Sequence, residues 1–131
     1  MLAKITVADY MSKNLVKLSK DTNVIDAIKT LLDHKITSAP VVDPHGNLLG
    51  VFSEKDVMRV VLETVYNQSQ SGKVAEYMST EISSINADDS IVDLAEKFQK
   101  SSIRSFPVFS DNKLVGIVSR TDVLRALASI H

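Results

Sequence analysis

Apolar residues recur at helical spacing in two stretches of the chain. Val24, Ala27, Ile28, Leu31 and Leu32 form one set, and Ile91, Leu94, Ala95 and Phe98 the other. The spacing predicts an amphipathic helix in each stretch. Asp21-Thr22 before the first and Asp88-Asp89-Ser90 before the second supply side-chain oxygens for N-caps. Beyond each helix, short apolar runs flank a polar turn. Pro40-Val-Val, Asp43-Pro-His-Gly-Asn47 and Leu48–Phe52 predict one hairpin; Pro107-Val-Phe, Ser110-Asp-Asn112 and Leu114–Val118 predict another. Each hairpin leads into a closing helix, Glu54 to about Asn67 and Arg120 to about Ile130. Upstream, a turn of helix (Val7–Met11; Val74–Met78) precedes an extended stretch (Leu15–Leu18; Ile82–Ile85).

The pattern is therefore written twice. Val7-Ala-Asp-Tyr-Met-Ser12 returns as Val74-Ala-Glu-Tyr-Met-Ser79, an offset of 67 that persists through Pro40/Pro107 and Val41/Val108. One residue is lost in the hairpin turn, and Gly50/Gly116, Ser53/Ser119, Asp56/Asp122 and Arg59/Arg125 continue at an offset of 66. The expected fold class is α/β (α+β): two β-α-β-β-α units spanning 7–67 and 74–130, with a polar linker over 68–73 that contains Gln68-Ser-Gln-Ser-Gly72. A copy of roughly 60 residues buries little surface alone. Two copies packed face to face, related by a pseudo-twofold, would share a core. The closing helices carry unusually broad apolar arcs, Val57, Met58, Val60, Val61 and Leu62 in one and Val123, Leu124, Ala126, Leu127 and Ala128 in the other. Either the two copies bury these arcs or a second chain does.

Composition narrows the functional classes. The chain has 131 residues, 15 Lys+Arg against 16 Asp+Glu, and a formal net charge of −1. This balance argues against a nucleic-acid or anionic-membrane surface, since both usually need a basic excess. The absence of cysteine excludes disulfides, thiolate metal sites and a cysteine nucleophile. No run is apolar enough for a signal peptide or a membrane span, so a soluble, cytoplasmic protein is expected. His34, His45 and His131 lack metal-ligand spacing, and Met11 and Met78 read as core. No Ser/His/Asp set and no Walker-type loop occurs, so an enzyme is not expected. Tyr10, Tyr66 and Tyr77 are too few for a nucleic-acid stacking platform.

One constellation could carry chemistry: Gly50-Val-Phe-Ser-Glu-Lys-Asp56 and its echo Gly116-Ile-Val-Ser-Arg-Thr-Asp122. Ser-x-x-Asp at a strand–helix junction is close to a capping box. The same geometry suits a ligand: helix N–H groups attract phosphate, Ser can add a bond, and a carboxylate can accept two vicinal ribose hydroxyls. Glycine in a strand further suggests a close approach to the backbone. Both readings stand at this point. Ile36-Thr-Ser-Ala-Pro-Val41 and Ile103-Arg-Ser-Phe-Pro-Val108 are, from composition, a helix exit into a strand. An apolar slot for a flat base is the less favoured alternative.

Together these motifs resemble a tandem pair of cystathionine-β-synthase-type (CBS) domains, a Bateman module, over about Val7 to Leu127. The resemblance implies a regulatory module that reversibly binds an adenine nucleotide (AMP, ADP, ATP) or related adenosyl ligand in clefts between the copies. It further implies no required cofactor and a downstream effector that the sequence does not name. Asp56 and Asp122 would then hold ribose, with Ser53 and Ser119 near the phosphates. Thr37, Ser38, Ala39 and Pro40, and Arg104, Ser105, Phe106 and Pro107, would line the base and phosphate pockets. Ser84 fits the family's Ser or Thr in the first strand, whereas Lys17 departs from it, though its ammonium could meet a phosphate. Arg104 and Arg120 stand where the first copy has Thr37 and Glu54, so phosphorylated ligands are expected to bind more tightly at the second site. A homodimer through the apolar helices is expected. The rival expectation is a ligand-free dimerisation or docking domain.

Overall fold

The computed structural model describes residues 2–67 and 72–130. Most of the expected linker (68–71) and His131 therefore lie outside the described residues. After a single 3-10 turn at Leu2–Lys4, the elements are α1 (Val7–Tyr10), β1 (Leu18–Ser19), α2 (Val24–His34), β2 (Ser38–Val42), β3 (Leu48–Ser53) and α3 (Glu54–Asn67). The series repeats as α4 (Val74–Tyr77), β4 (Ile85–Asn86), α5 (Ile91–Gln99), β5 (Ser105–Ser110), β6 (Lys113–Ser119) and α6 (Arg120–Ser129). Each three-stranded sheet joins a short parallel strand to an antiparallel hairpin, in the orders β1-β2-β3 and β4-β5-β6.

The helices form where the periodicity places them, but one cap differs. Asn23, not Asp21 or Thr22, caps α2, its side chain accepting from the Ile25 N–H at 2.8 Å. Ser90 caps α5 and accepts from the Asp93 N–H at 3.0 Å. The residue lost between the copies sits in the hairpin turns. Val42 and Leu48 are joined through a loop held by Asp43, whereas Ser110 pairs directly with Lys113 around Asp111 and Asn112. The latter two have φ of 51° and 64°, the left-handed pair of a tight hairpin turn.

The compact units do not follow the sequence repeats. One comprises Val16–Ile82; the other comprises Met1–Leu15 with Ser83–His131. The lead-in helix of each repeat thus packs into the unit built from the other repeat's strands. In the Val16–Ile82 unit, the Val74 and Ala75 N–H groups donate to the Thr22 and Lys20 carbonyls at 2.9 and 3.0 Å. In the other unit, Val7 and Ala8 donate to Asp89 and Ala87, both at 2.8 Å. Val7 and Val74 are fully buried in their respective clusters. Each such side chain contributes about 1.5–3 kcal/mol on leaving water. Each unit has its own buried cluster, completed by the exchanged lead-in.

This exchange accounts for the strand glycines and prolines. A Cβ on Gly50 would lie 2.7 Å from the Ser79 carbonyl oxygen, and one on Gly116 would lie 2.7 Å from that of Ser12. The close approach that the glycines implied is made by the chain itself. Val51 exchanges both backbone bonds with Ser79, and Ile117 does so with Ser12. Their partners Pro40 and Pro107 therefore sit at non-bonded pairs, where a missing N–H costs no ladder bond.

The arcs of the closing helices divide. Val60 and Ala126 are buried, while Met58, Val61, Leu62, Val65, Leu124 and Leu127 are exposed.

Candidate functional site

Each unit brings its candidate residues to one end of its own sheet. In the first, Ser38 lies opposite Ser53, and the Glu54 N–H donates to the Thr37 carbonyl at 3.0 Å. This bond ties the start of β2 to the start of α3. Leu18 is level with Val41, so exposed Lys17 stands one residue earlier, level with Pro40. In the second, Ser105 lies opposite Ser119, and the Arg120 N–H donates to the Arg104 carbonyl at 3.2 Å. Ile85 is level with Val108, which sets Ser84 level with Pro107. Ala39 and Phe106 belong to the buried clusters, so each offers the site its backbone. Pro40 and Pro107 are buried too, leaving Thr37 and Arg104 as the exposed side chains of these segments.

The Ser-x-x-Asp segments form the capping arrangement. Asp56 Oδ2 accepts from the Ser53 N–H at 2.9 Å and from its hydroxyl at 3.2 Å. Asp122 Oδ2 does the same with Ser119 at 2.8 and 3.2 Å. Capping and ligand binding are compatible, because a carboxylate has four lone-pair sites and the cap takes only those on one oxygen. The carboxylates differ at the other oxygen. Asp122 Oδ1 pairs with Arg125, whereas Asp56 meets Ser53 through Oδ2 and its own counterpart arginine, Arg59, turns elsewhere. Asp122 is buried and Asp56 half-buried.

Arg120 does more than lend charge. Its Nη2 donates to the Phe98 and Ser101 carbonyls at 3.1 and 2.8 Å, and its Nε to that of Ile103 at 3.4 Å. The guanidinium lies 5.4 Å from the Phe98 ring centroid. It therefore closes the carboxyl end of α5 and ties the 101–104 segment to α6, with Nη1 outside these bonds. Arg104 is exposed on that segment. The side chain of Glu54, the counterpart of Arg120, has no N–H to offer there.

Two residues beyond the sequence motifs join these sites. Lys97 Nζ donates to the Ser84 carbonyl at 2.7 Å and lies 5.4 Å from the Phe106 ring centroid. The aligned repeats hold the signal for it, since the first copy has Thr30 at this position. Arg125 is the other. Its counterpart Arg59 turns elsewhere, donating to the Glu76 carbonyl at 3.1 Å and lying 4.9 Å from the Tyr77 ring centroid. Among the described residues no group of His, Asp or Glu is arranged to hold a metal ion. Among the same residues no helix is long and apolar enough to cross a membrane.

Comparison with known proteins bears on this arrangement. An uncharacterised protein of Methanocaldococcus jannaschii, MJ1225, is 26% identical over 94% of this chain and 43% of its own length. The L-aspartate semialdehyde sulfurtransferase of the same organism is 28% identical over 91% of the chain and 22% of its own length. The chain thus spans less than half of these curated relatives. Among solved structures, CBSX2 in complex with AMP matches at a TM-score of 0.83 and 29% identity, over 96% of this chain and 98% of that one. The CBS domain pair of MJ0100, in complex with 5′-methylthioadenosine and S-adenosyl-L-methionine, matches at 0.83 and 27% over the same shares. The family model for the CBS domain matches residues 7–63 and again 74–129. Two family matches, each with its strand–Ser-x-x-Asp–helix junction, establish that the chain belongs to the CBS domain family as a tandem pair.

Proposed function

We propose that the chain is a regulatory module that reversibly binds an adenine nucleotide or a related adenosyl ligand, without catalysing a reaction. The observation that carries this reading is the Asp56 carboxylate in the first turn of α3. Ser53 holds Oδ2, and Oδ1 is left to accept ribose hydroxyls. The amino end of the helix favours a phosphate nearby. The likeness to CBS pairs solved with AMP and with adenosyl ligands supports the same ligand class. In this reading Asp56 and Asp122 bind ribose, Ser53 and Ser119 lie near phosphate, and Arg104 and Lys17 supply charge at their respective sites. Arg120 would reach a phosphate only through Nη1, so its main part is to hold the 101–104 segment.

Dimerisation through α3 and α6 belongs to the proposal, supported by the exposure of Met58, Leu62, Leu124 and Leu127. So does a cytoplasmic location, with an effector protein that reads the occupied state. Thermal denaturation with AMP, ADP, ATP and S-adenosylmethionine tests the ligand. At 100 times its dissociation constant the right one should stabilise by about 2.7 kcal/mol. No shift with any of them would favour the rival function, a docking domain that works through its exposed apolar helices alone.

A further inference from the structure

We propose that Arg125 latches the Asp122 carboxylate against a ribose diol while Asp56 stays open, and that residues 129 and 63 decide this difference. The inference rests on the ligand reading above. The two arginines are equivalent in the repeat, one turn after their aspartates, yet they point to different partners. Arg125 pairs with Asp122 Oδ1, and Ser119 holds Oδ2. Arg59 bonds the Glu76 carbonyl and covers Tyr77.

The neighbours explain the divergence. Glu63 lies four residues beyond Arg59, on the same helix face, and its negative charge acts on Tyr77, whose hydroxyl is pushed toward the protonated form by burial and Glu63 together. An anion, a carbonyl and an aromatic face thus draw Arg59 away from Asp56. The counterpart of Glu63 is Ser129, which is uncharged and accepts from the Tyr10 hydroxyl. The counterpart of Glu76 is Asp9; each carboxylate accepts from the N–H three residues earlier, so the pair does not distinguish the two arginines. With no anion at 129, Arg125 settles on the carboxylate beside it.

A latched carboxylate keeps one lone-pair direction of Oδ1 for a ligand; an unlatched one keeps two, enough for vicinal hydroxyls. The device therefore acts on recognition of the diol and not on phosphate.

Calorimetric titration with AMP and 2′-deoxy-AMP reads this directly, because the phosphate contribution cancels in the ratio of the two dissociation constants. An Asp56→Asn background isolates the Asp122 site. There, Arg125→Met and Ser129→Glu should each raise the preference for AMP over 2′-deoxy-AMP about tenfold. Glu63→Ser in an Asp122→Asn background should lower it at the Asp56 site. Circular dichroism and melting curves verify that each variant is folded. AMP binding with a ratio unmoved by both Arg125→Met and Ser129→Glu would overturn the latch alone. Absence of AMP and 2′-deoxy-AMP binding in the unmodified chain and in every variant would overturn the latch; if ADP, ATP and S-adenosylmethionine also fail to bind, the ligand reading falls with it.

Discussion

Asp56 and Asp122 each serve two masters, a helix start and a candidate ligand, and single substitutions separate the roles. Asp122→Ala removes two cap bonds and leaves Arg125 without its partner, so it should cost about 0.5–2 kcal/mol of folding free energy in urea denaturation. If ribose binds there, the same change should weaken nucleotide binding by roughly 1.5–3 kcal/mol. Loss of stability with unchanged affinity would make the residue a cap only. A different carboxylate, Asp43, contributes to the acid limb. Asp43 accepts from the Asn47 and His45 N–H groups, both at 2.9 Å, and from the Asn47 side chain at 3.1 Å. The backbone bond from Asn47 is the main cause that holds its acid constant below the ordinary 3.8. A depressed constant means that the folded chain favours the carboxylate. Its stabilisation is present above pH 3.8 and is lost as pH falls below that value. The stability difference between the unmodified chain and Asp43→Ala should therefore shrink on acidification through that range.

At the level of elements, the exchanged lead-ins meet glycine backbones. Gly50→Ala or Gly116→Ala would place a methyl 2.7 Å from a carbonyl oxygen and within 3 Å of a methionine sulfur. Met78 or Met11 can turn aside, but the backbone carbonyl cannot do so without breaking its paired bonds. Each substitution should cost about 1–3 kcal/mol, measured by chemical denaturation. A cost near zero would mean that the lead-in does not dock as described. The helices and hairpins were legible because a local period dictates them, and so was the need for something close to each strand glycine. The identity of that something was not legible. A four-residue helix has no period of its own, and its partner depends on backbone bonds to residues more than 50 positions away. The α2 cap falls one position beyond the expected pair, since Asp21, Thr22 and Asn23 are all competent and only the backbone path decides among them.

For the molecule as a whole, the exchange means that neither sequence repeat holds a complete core. Separate fragments 1–67 and 72–131 should each be largely unfolded, and should recover native circular dichroism when mixed. A fragment folding alone would show that its lead-in is dispensable. Leu62→Lys with Leu124→Lys should leave the fold intact and, if the exposed arcs form the proposed dimer, yield a monomer in sedimentation. The candidate sites were legible as Ser-x-x-Asp motifs because sequence spacing and helix starts coincide. The different fates of Arg59 and Arg125 were not, because they turn on side-chain direction, although their cause, Glu63 against Ser129, lies in the aligned repeats. The most direct test of the regulatory reading is calorimetric titration of the unmodified chain and of Asp56→Asn/Asp122→Asn with AMP. Saturable binding that disappears in a double variant with little change in melting temperature is the expected result. Equal binding to both, or an unmodified chain that binds neither AMP nor, in the same titration, ADP, ATP or S-adenosylmethionine, would contradict it.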